Sequence, residues 1–193
     1  MIHFLHGIRT GVHTEVKGLI PYLMDAGFEV AYPDYGYELA LETRFVNPMI
    51  VGSILPYIKP GDILIGHSNG CALAYDLLAA GAPATRAVFI NAAMDTRLVI
   101  PKQLKSLDVY YNAGDTITEA AAIAERLGWV DHVWGEMGHA GYQGCDGRVT
   151  NIDCGDPLIS YGNVSGHSDI FTPEKLKNWG PAIATRLRWR VGP

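Results

Sequence analysis

Residues Asp62 to Gly70 read D-I-L-I-G-H-S-N-G, a short apolar stretch that runs straight into two glycines placed either side of a serine. Few backbones satisfy that order. The apolar residues read as a buried strand, Cys71 to Ala80 reads as a helix, and Gly81 is placed to end it. A chain that passes from strand to helix within Gly66-His67-Ser68-Asn69-Gly70 must turn too tightly to accommodate a Cβ at the two glycine positions. The serine is then pushed outward, with its hydroxyl near a helix N-terminus whose N–H groups favour negative charge. Without any chemistry attached, the same pentapeptide is a glycine-rich turn between strand and helix.

Around this junction, apolar β-rich segments alternate with helical ones, and no repeat or Ser/Pro/Gly linker interrupts them. This pattern predicts an α/β fold with a mainly parallel sheet of about six strands flanked by helices. The strands are expected at Ile2 to Leu5, Phe28 to Tyr32, Asp62 to Ile65, Ala87 to Asn91, Leu107 to Asn112 and His132 to Trp134. Helices are expected from Thr14 to Ala26, with Thr14 as its cap and Gly27 as its end, and from Thr116 to Leu127, ending at Gly128. A third, from Phe45 to Ile58, is bent or broken by Pro48, Gly52 and Pro56. The last begins at Thr172-Pro173-Glu174 and carries the apolar stripe Leu176, Trp179, Ile183, Leu187, interrupted at Gly180-Pro181. Gly135 to Gly166 contains eight glycines and little periodicity. It reads as a hairpin excursion before the last helix, with Gly147 to Asp153 as its clearest strand.

A length of 193 residues, 48% of them hydrophobic and 18% charged, fits one domain spanning 1–193 with a substantial core. The net charge of −5, with both signs mixed along the chain, argues against nucleic-acid binding, which needs a basic face. Arg186, Arg188 and Arg190 read as the solvated side of the last helix. No run approaches the ~18 apolar residues of a membrane span, and the N-terminus lacks the basic start of a signal peptide, so a cytoplasmic location is expected. Cys71 reads as a small packed side chain. Cys145 and Cys154 could be brought together by the expected hairpin, although a reducing compartment disfavours a disulfide. No Cys/His spacing resembles a zinc site.

A serine hydroxyl needs a general base to act as a nucleophile, and the base needs an acid to hold its tautomer and stabilise its cation. On a parallel sheet these groups belong on loops at the C-terminal ends of later strands. Asp115 follows the strand ending near Asn112, and His167 precedes the last helix. Asp115 also reads as the cap of the helix starting at Thr116, with Asp95 as the alternative acid. His139 is the alternative base. His67 reads as packing, His3 as a hydrogen-bonded core histidine, and His6 as a group that orders the loop after the first strand. His13 and His132 carry no evident role. Tyr35 and Tyr37 sit on a loop at the same edge and are candidate substrate-binding residues, as are Leu98 and Val99; all four also read as ordinary loop anchors. Arg9 is a candidate for an anionic substrate group or a surface ion pair.

With the order Ser68, Asp115, His167, and with His6-Gly7 after the first strand, the chain resembles the α/β-hydrolase superfamily over nearly its whole length. The resemblance implies an oxyanion hole made by the backbone N–H groups of Ile8 and Asn69. It also implies a member that begins at the third strand of the usual sheet and has no insertion long enough for a large lid. The activity it implies is hydrolysis of carboxylic esters or thioesters of small-molecule substrates, with no metal or organic cofactor. An acyltransferase using the same residues, and a non-catalytic binding protein on this fold, are the other readings.

Overall fold

The structure is a computed structural model and describes residues 1–8, 15–35, 43–126, 134–158 and 160–189. Among the described residues six strands form one sheet, in the order β2-β1-β3-β4-β5-β6, and every neighbouring pair is parallel. They are β1 (Ile2–Leu5), β2 (Val30–Ala31), β3 (Ile63–His67), β4 (Arg86–Ile90), β5 (Ser106–Tyr111) and β6 (Val149–Asp153). The helices are α1 (Ile20–Asp25, after a 3₁₀ turn at Glu15–Leu19), α2 (Thr43–Ile54), α3 (Asn69–Ala79), α4 (Thr116–Arg126), α5 (Met137–Ala140) and α6 (Pro173–Trp189). Among the described residues no helix is long and apolar enough to cross a membrane.

The central strands are apolar along their whole length because both faces are covered. Leu64 and Phe89 turn to one face, where they pack with Leu73 and Leu77 of α3 and with Ile50 and Ile54 of α2. Ile63, Ile65, Val88 and Ile90 turn to the other, against Leu23 of α1 and Trp179 and Ile183 of α6. His3 is buried and hydrogen-bonded to the buried Asp62 carboxylate at 2.8 Å, as a core histidine must be. After β2 the chain crosses back over β1 to form β3. The direction of winding therefore reverses between β1 and β3, and in open α/β sheets that reversal opens a crevice at the strands' C-terminal ends.

Several expectations need correction. The sixth described strand is Val149–Asp153; of the strand expected at His132 to Trp134, 132 and 133 lie outside the described residues and Trp134 lies off the sheet. Val149–Asp153 is also not half of a hairpin. It pairs in parallel with β5, from Leu107 opposite Val149 to Tyr111 opposite Asp153, because helices α4 and α5 lie in the connection and return the chain to the same end of the sheet. Cys145 is exposed, Cys154 is buried under this strand, and both are free. Arg186 is not simply solvated: its guanidinium holds the buried Asp108 of β5 through two bonds, at 2.9 and 3.1 Å.

The final helix also runs unbroken through Gly180-Pro181. A Cβ on Gly180 would lie 2.5 Å from the Tyr22 ring, so this glycine allows α6 to press against α1. The expected helix cap Thr14 lies outside the described residues, whereas Gly27 ends its helix with a positive φ of 87°. Gly180→Ala is expected to destabilise the fold by ~1–3 kcal/mol through overpacking. Gly52→Ala, in the last turn of α2 with open space around it, should instead add up to ~1 kcal/mol. Urea unfolding of both variants checks the pair, and equal effects would contradict this packing.

Candidate active site

At the C-terminal end of β3 the backbone makes the turn that the glycines predict. Ser68 has φ 57° and ψ −126°, outside the ordinary regions for a residue with a side chain, and α3 starts at the next residue. The neighbours explain why the turn is possible. A Cβ on Gly66 would sit 2.6 Å from Cys71 backbone atoms, and one on Gly70 would sit 2.2 Å from the Leu5 carbonyl oxygen. Gly7, after β1, presses on the serine itself: its Cβ would be 2.7 Å from Ser68 Cβ. Cys71 is buried in the first turn of α3, where burial pushes its thiol pKa up, in keeping with a packing role.

Asp115 and His167 meet at this same edge of the sheet. His167 Nδ1–H donates to both Asp115 carboxylate oxygens at 2.9 Å, which fixes the neutral tautomer and leaves Nε2 as a proton acceptor. Asp115 is fully buried and also accepts from the Asn91 amide at 3.0 Å and from the Thr118 N–H at 3.1 Å. Burial alone would raise its pKa; the His167 hydrogen bond and charge, then Asn91 and Thr118, together hold it below the usual carboxylate value. The bond to Thr118 means that Asp115 caps α4 as well as accepting from the imidazole.

Neither rival forms such a pair among the described residues. Asp95 is exposed and accepts the Arg97 N–H in its own loop, and the His139 Nδ1 makes no hydrogen bond among the described residues.

The strands bring these parts together. Asp115 follows β5, and β6 returns the chain to the same edge, from which it reaches His167. Two close approaches lock the pairing. A Cβ on Gly114 would lie 2.3 Å from the Ser165 carbonyl oxygen, and one on Gly138 would lie 2.7 Å from Asp115 Oδ2. Asn112 adds a bond from its amide to the Gly166 carbonyl at 3.3 Å.

His67 does more than pack. Its Nε2–H donates to the His167 carbonyl at 3.1 Å, so the residue before Ser68 ties that turn to the backbone of the base. Its ring lies 5.0 Å from the His167 ring, and burial, followed by the nearby His167, pulls its pKa down to about 3. It is neutral at ordinary pH. Between the Ser68 hydroxyl and the His167 ring no hydrogen bond is formed in this structure.

The loop after β1 carries Ile8, whose side chain packs with Ala93 and Trp134. His6 orders this loop as expected: its ring stacks on Tyr35 at 3.9 Å, and its Nδ1 lies 2.9 Å from the Gly7 carbonyl. The Tyr35 hydroxyl donates to the His6 carbonyl at 2.6 Å, so Tyr35 braces the loop. Leu98 packs on the core, and Val99 is exposed with its carbonyl accepting from Tyr75. Arg9, His13, Tyr37 and His132 lie outside the described residues. Asn69 opens α3, where an N–H has no partner in the helix ladder. Among the described residues no group of three His, Cys, Asp or Glu side chains is placed to hold a metal ion.

Asn91 is the residue that sequence reasoning passed over. It has a positive φ of 47° and lies buried at the end of β4, where its amide supports Asp115. The available signal was an asparagine, a side chain that tolerates this conformation, at the C-terminal end of a buried strand.

No family model matches the sequence, and no curated protein matches it. Solved structures do. A monoacylglycerol lipase from Paleococcus ferrophilus aligns with a TM-score of 0.60 at 14% identity, over 96% of this chain and 93% of its own. A Pyrococcus furiosus esterase gives 0.61 at 12% identity, over 97% and 80%. An extracellular alpha/beta-hydrolase from a Paenibacillus species gives 0.54 at 12% identity, over 99% and 98%. The fold of this chain is the α/β-hydrolase fold.

A side chain held at Ser68's φ and ψ stores strain that glycine would release. Ser68→Gly is therefore expected to stabilise the fold by ~1 kcal/mol, a rise of about 2–4 °C in the thermal midpoint of a chain this size. Calorimetry checks this, and a lowered midpoint would contradict the strained turn.

Proposed function

We propose that the protein is a serine hydrolase that cleaves carboxylic esters or thioesters of small molecules. One observation carries the reading: a buried, ionised Asp115 holds His167 in the tautomer whose free Nε2 can accept a proton, at the sheet edge that bears Ser68. The esterase and lipase names of the structural neighbours support the same class of reaction. What the reading adds to the geometry is the hydrogen bond from Ser68 Oγ to His167 Nε2, a contact that often tightens only with substrate bound.

In this mechanism Ser68 Oγ attacks the carbonyl carbon while its proton passes to His167 Nε2. The carbonyl oxygen becomes an oxyanion, stabilised by the backbone N–H groups of Ile8 and Asn69; losing one such donor typically costs ~3–4 kcal/mol. The intermediate collapses, the bond to the leaving oxygen or sulfur breaks, and His167 returns the proton to it. The acyl group remains on Ser68. Water then gives a proton to Nε2 and attacks the acyl carbon, a second oxyanion forms, and Ser68 leaves with its proton restored as the carboxylic acid is released. Asp115 stays ionised throughout and stabilises the imidazolium. Tyr35 contributes through the loop it braces, and no step calls on a cofactor.

A panel of nitrophenyl esters of increasing acyl length tests this. Hydrolysis by the wild type should fall by about 10³-fold or more in Ser68→Ala, His167→Ala and Asp115→Asn. Asp95→Asn and His139→Ala should stay near wild type. Absence of turnover on every ester by a folded wild type would overturn the reading in favour of a binding protein. Transfer of the acyl group to an added alcohol in preference to water would make the protein an acyltransferase.

A further inference from the structure

Asn69 supplies one of the two proposed oxyanion donors from its backbone, but its side chain turns inward, 1% exposed. There it meets Asn47 of α2, which is fully buried. The two amides pair reciprocally: Asn47 Nδ2 donates to Asn69 Oδ1 at 3.2 Å, and Asn69 Nδ2 donates to Asn47 Oδ1 at 3.1 Å. Trp134 completes the group by donating its indole N–H to Asn69 Oδ1 at 3.3 Å. An indole N–H can only donate, so it decides which way the Asn69 amide faces and, through the pair, which way Asn47 faces. Burying two amides in an apolar core is costly unless their bonds are met, and here each amide oxygen has a donor.

Trp134 also reaches the other donor. With Ala93 it forms the small apolar cluster that Ile8 packs against, and the Ile8 backbone N–H is the second one proposed. Its own segment is stapled to the loop after β4 by Met137 N–H to Met94 O at 2.9 Å and Gly138 N–H to Ala92 O at 2.7 Å. Gly135 permits the approach, since a Cβ there would lie 2.7 Å from the Met94 carbonyl. The indole that bonds Asn69 is therefore also part of the cluster on which Ile8 rests, so one group of side chains meets both residues that must aim an N–H at the same oxygen.

We propose that Trp134 and Asn47 are positioning residues that set the spacing of the Ile8 and Asn69 backbone donors; the proposal rests on the serine-hydrolase reading above and deepens it. Neither side chain need touch substrate. Trp134 fixes Asn69 by its N–H and, together with Ala93, forms the seat for Ile8, and Asn47 stops the first turn of α3 from rotating. Donors preorganised in this way act on the charge that develops in the transition state and little on the ground-state ester. Loosening them should lower kcat and leave KM nearly unchanged, and a misplacement near 1 Å is enough to cost about 10²-fold.

The test compares the wild type with Trp134→Phe, which keeps an aromatic ring in the cluster that seats Ile8 and removes the N–H, and with Asn47→Ala. Each is assayed for kcat, KM, thermal midpoint and inhibition by an alkyl boronic acid, whose adduct with the serine mimics the tetrahedral intermediate. In Trp134→Phe, kcat should fall by about ten- to a hundredfold while KM changes by less than about threefold. Boronic acid affinity should fall by the same factor as kcat/KM. Wild-type kcat and boronic acid affinity in a folded Trp134→Phe would overturn the proposal, and so would a change confined to KM, which would make the indole a wall of the substrate pocket. If Asn47→Ala does not fold, Trp134→Phe alone decides. Fluorophosphonate labelling separates the two levels: a wild type that is not labelled at Ser68 defeats the hydrolase reading and this inference with it, whereas full labelling beside an unaffected Trp134→Phe defeats this inference only.

Discussion

The site depends on one steric fact, the absence of side chains where β3 turns into α3. Gly66 and Gly70 remove the Cβ atoms that would strike the Cys71 backbone and the Leu5 carbonyl, and only then can Ser68 occupy a φ of 57°. The turn is held from several sides. Gly7 lies against the serine, the Ser68 N–H donates to the Ile90 carbonyl at 3.1 Å, and the core beneath is closed by α2 and α3. Strain of this kind persists where the surrounding structure over-determines it. It leaves a hydroxyl at the mouth of the crevice formed where the sheet reverses its winding.

The parallel sheet does the rest by bringing distant parts of the chain to one edge. Each strand ends at the same rim, so the loops after β1, β3, β4 and β5 and the segment after β6 supply neighbouring groups despite large separations in sequence. Two histidines illustrate the division of labour. His67, buried and neutral, holds the backbone of His167, and His167, bonded to a buried carboxylate, keeps one ring nitrogen available. Asn91 also has a positive φ, and its amide steadies the carboxylate. Both described non-glycine residues with positive φ thus serve this one site.

Much of this was legible in the sequence because it is written locally. Strands β1, β3, β4 and β5 show as short apolar runs, and the turn at Ser68 shows as glycine spacing, since both depend on residues a few positions apart. Asp115 and His167 could be named from their places after strands. Strand β6 was legible as a strand, but its pairing was misread as a hairpin: it is polar and only partly covered at the sheet edge, and its partner lies some forty residues earlier. Asn47 and Trp134 left no signal of their contacts, because their bonds join positions 22 and 65 residues apart and no local periodicity records such pairs. Tyr35 shows the converse: its loop was placed correctly, but only the coordinates show its hydroxyl engaged by the His6 carbonyl.

The central claim is that Ser68, aided by His167, is a nucleophile and not merely the tip of a turn. The most direct measurement is the intact mass of the chain after exposure to a fluorophosphonate, followed by peptide mapping of the adduct. The account predicts one adduct per chain, carried by the peptide that contains Ser68, absent in Ser68→Ala and formed far more slowly in His167→Ala. An adduct on any other residue, or an unmodified chain that remains folded, would contradict it.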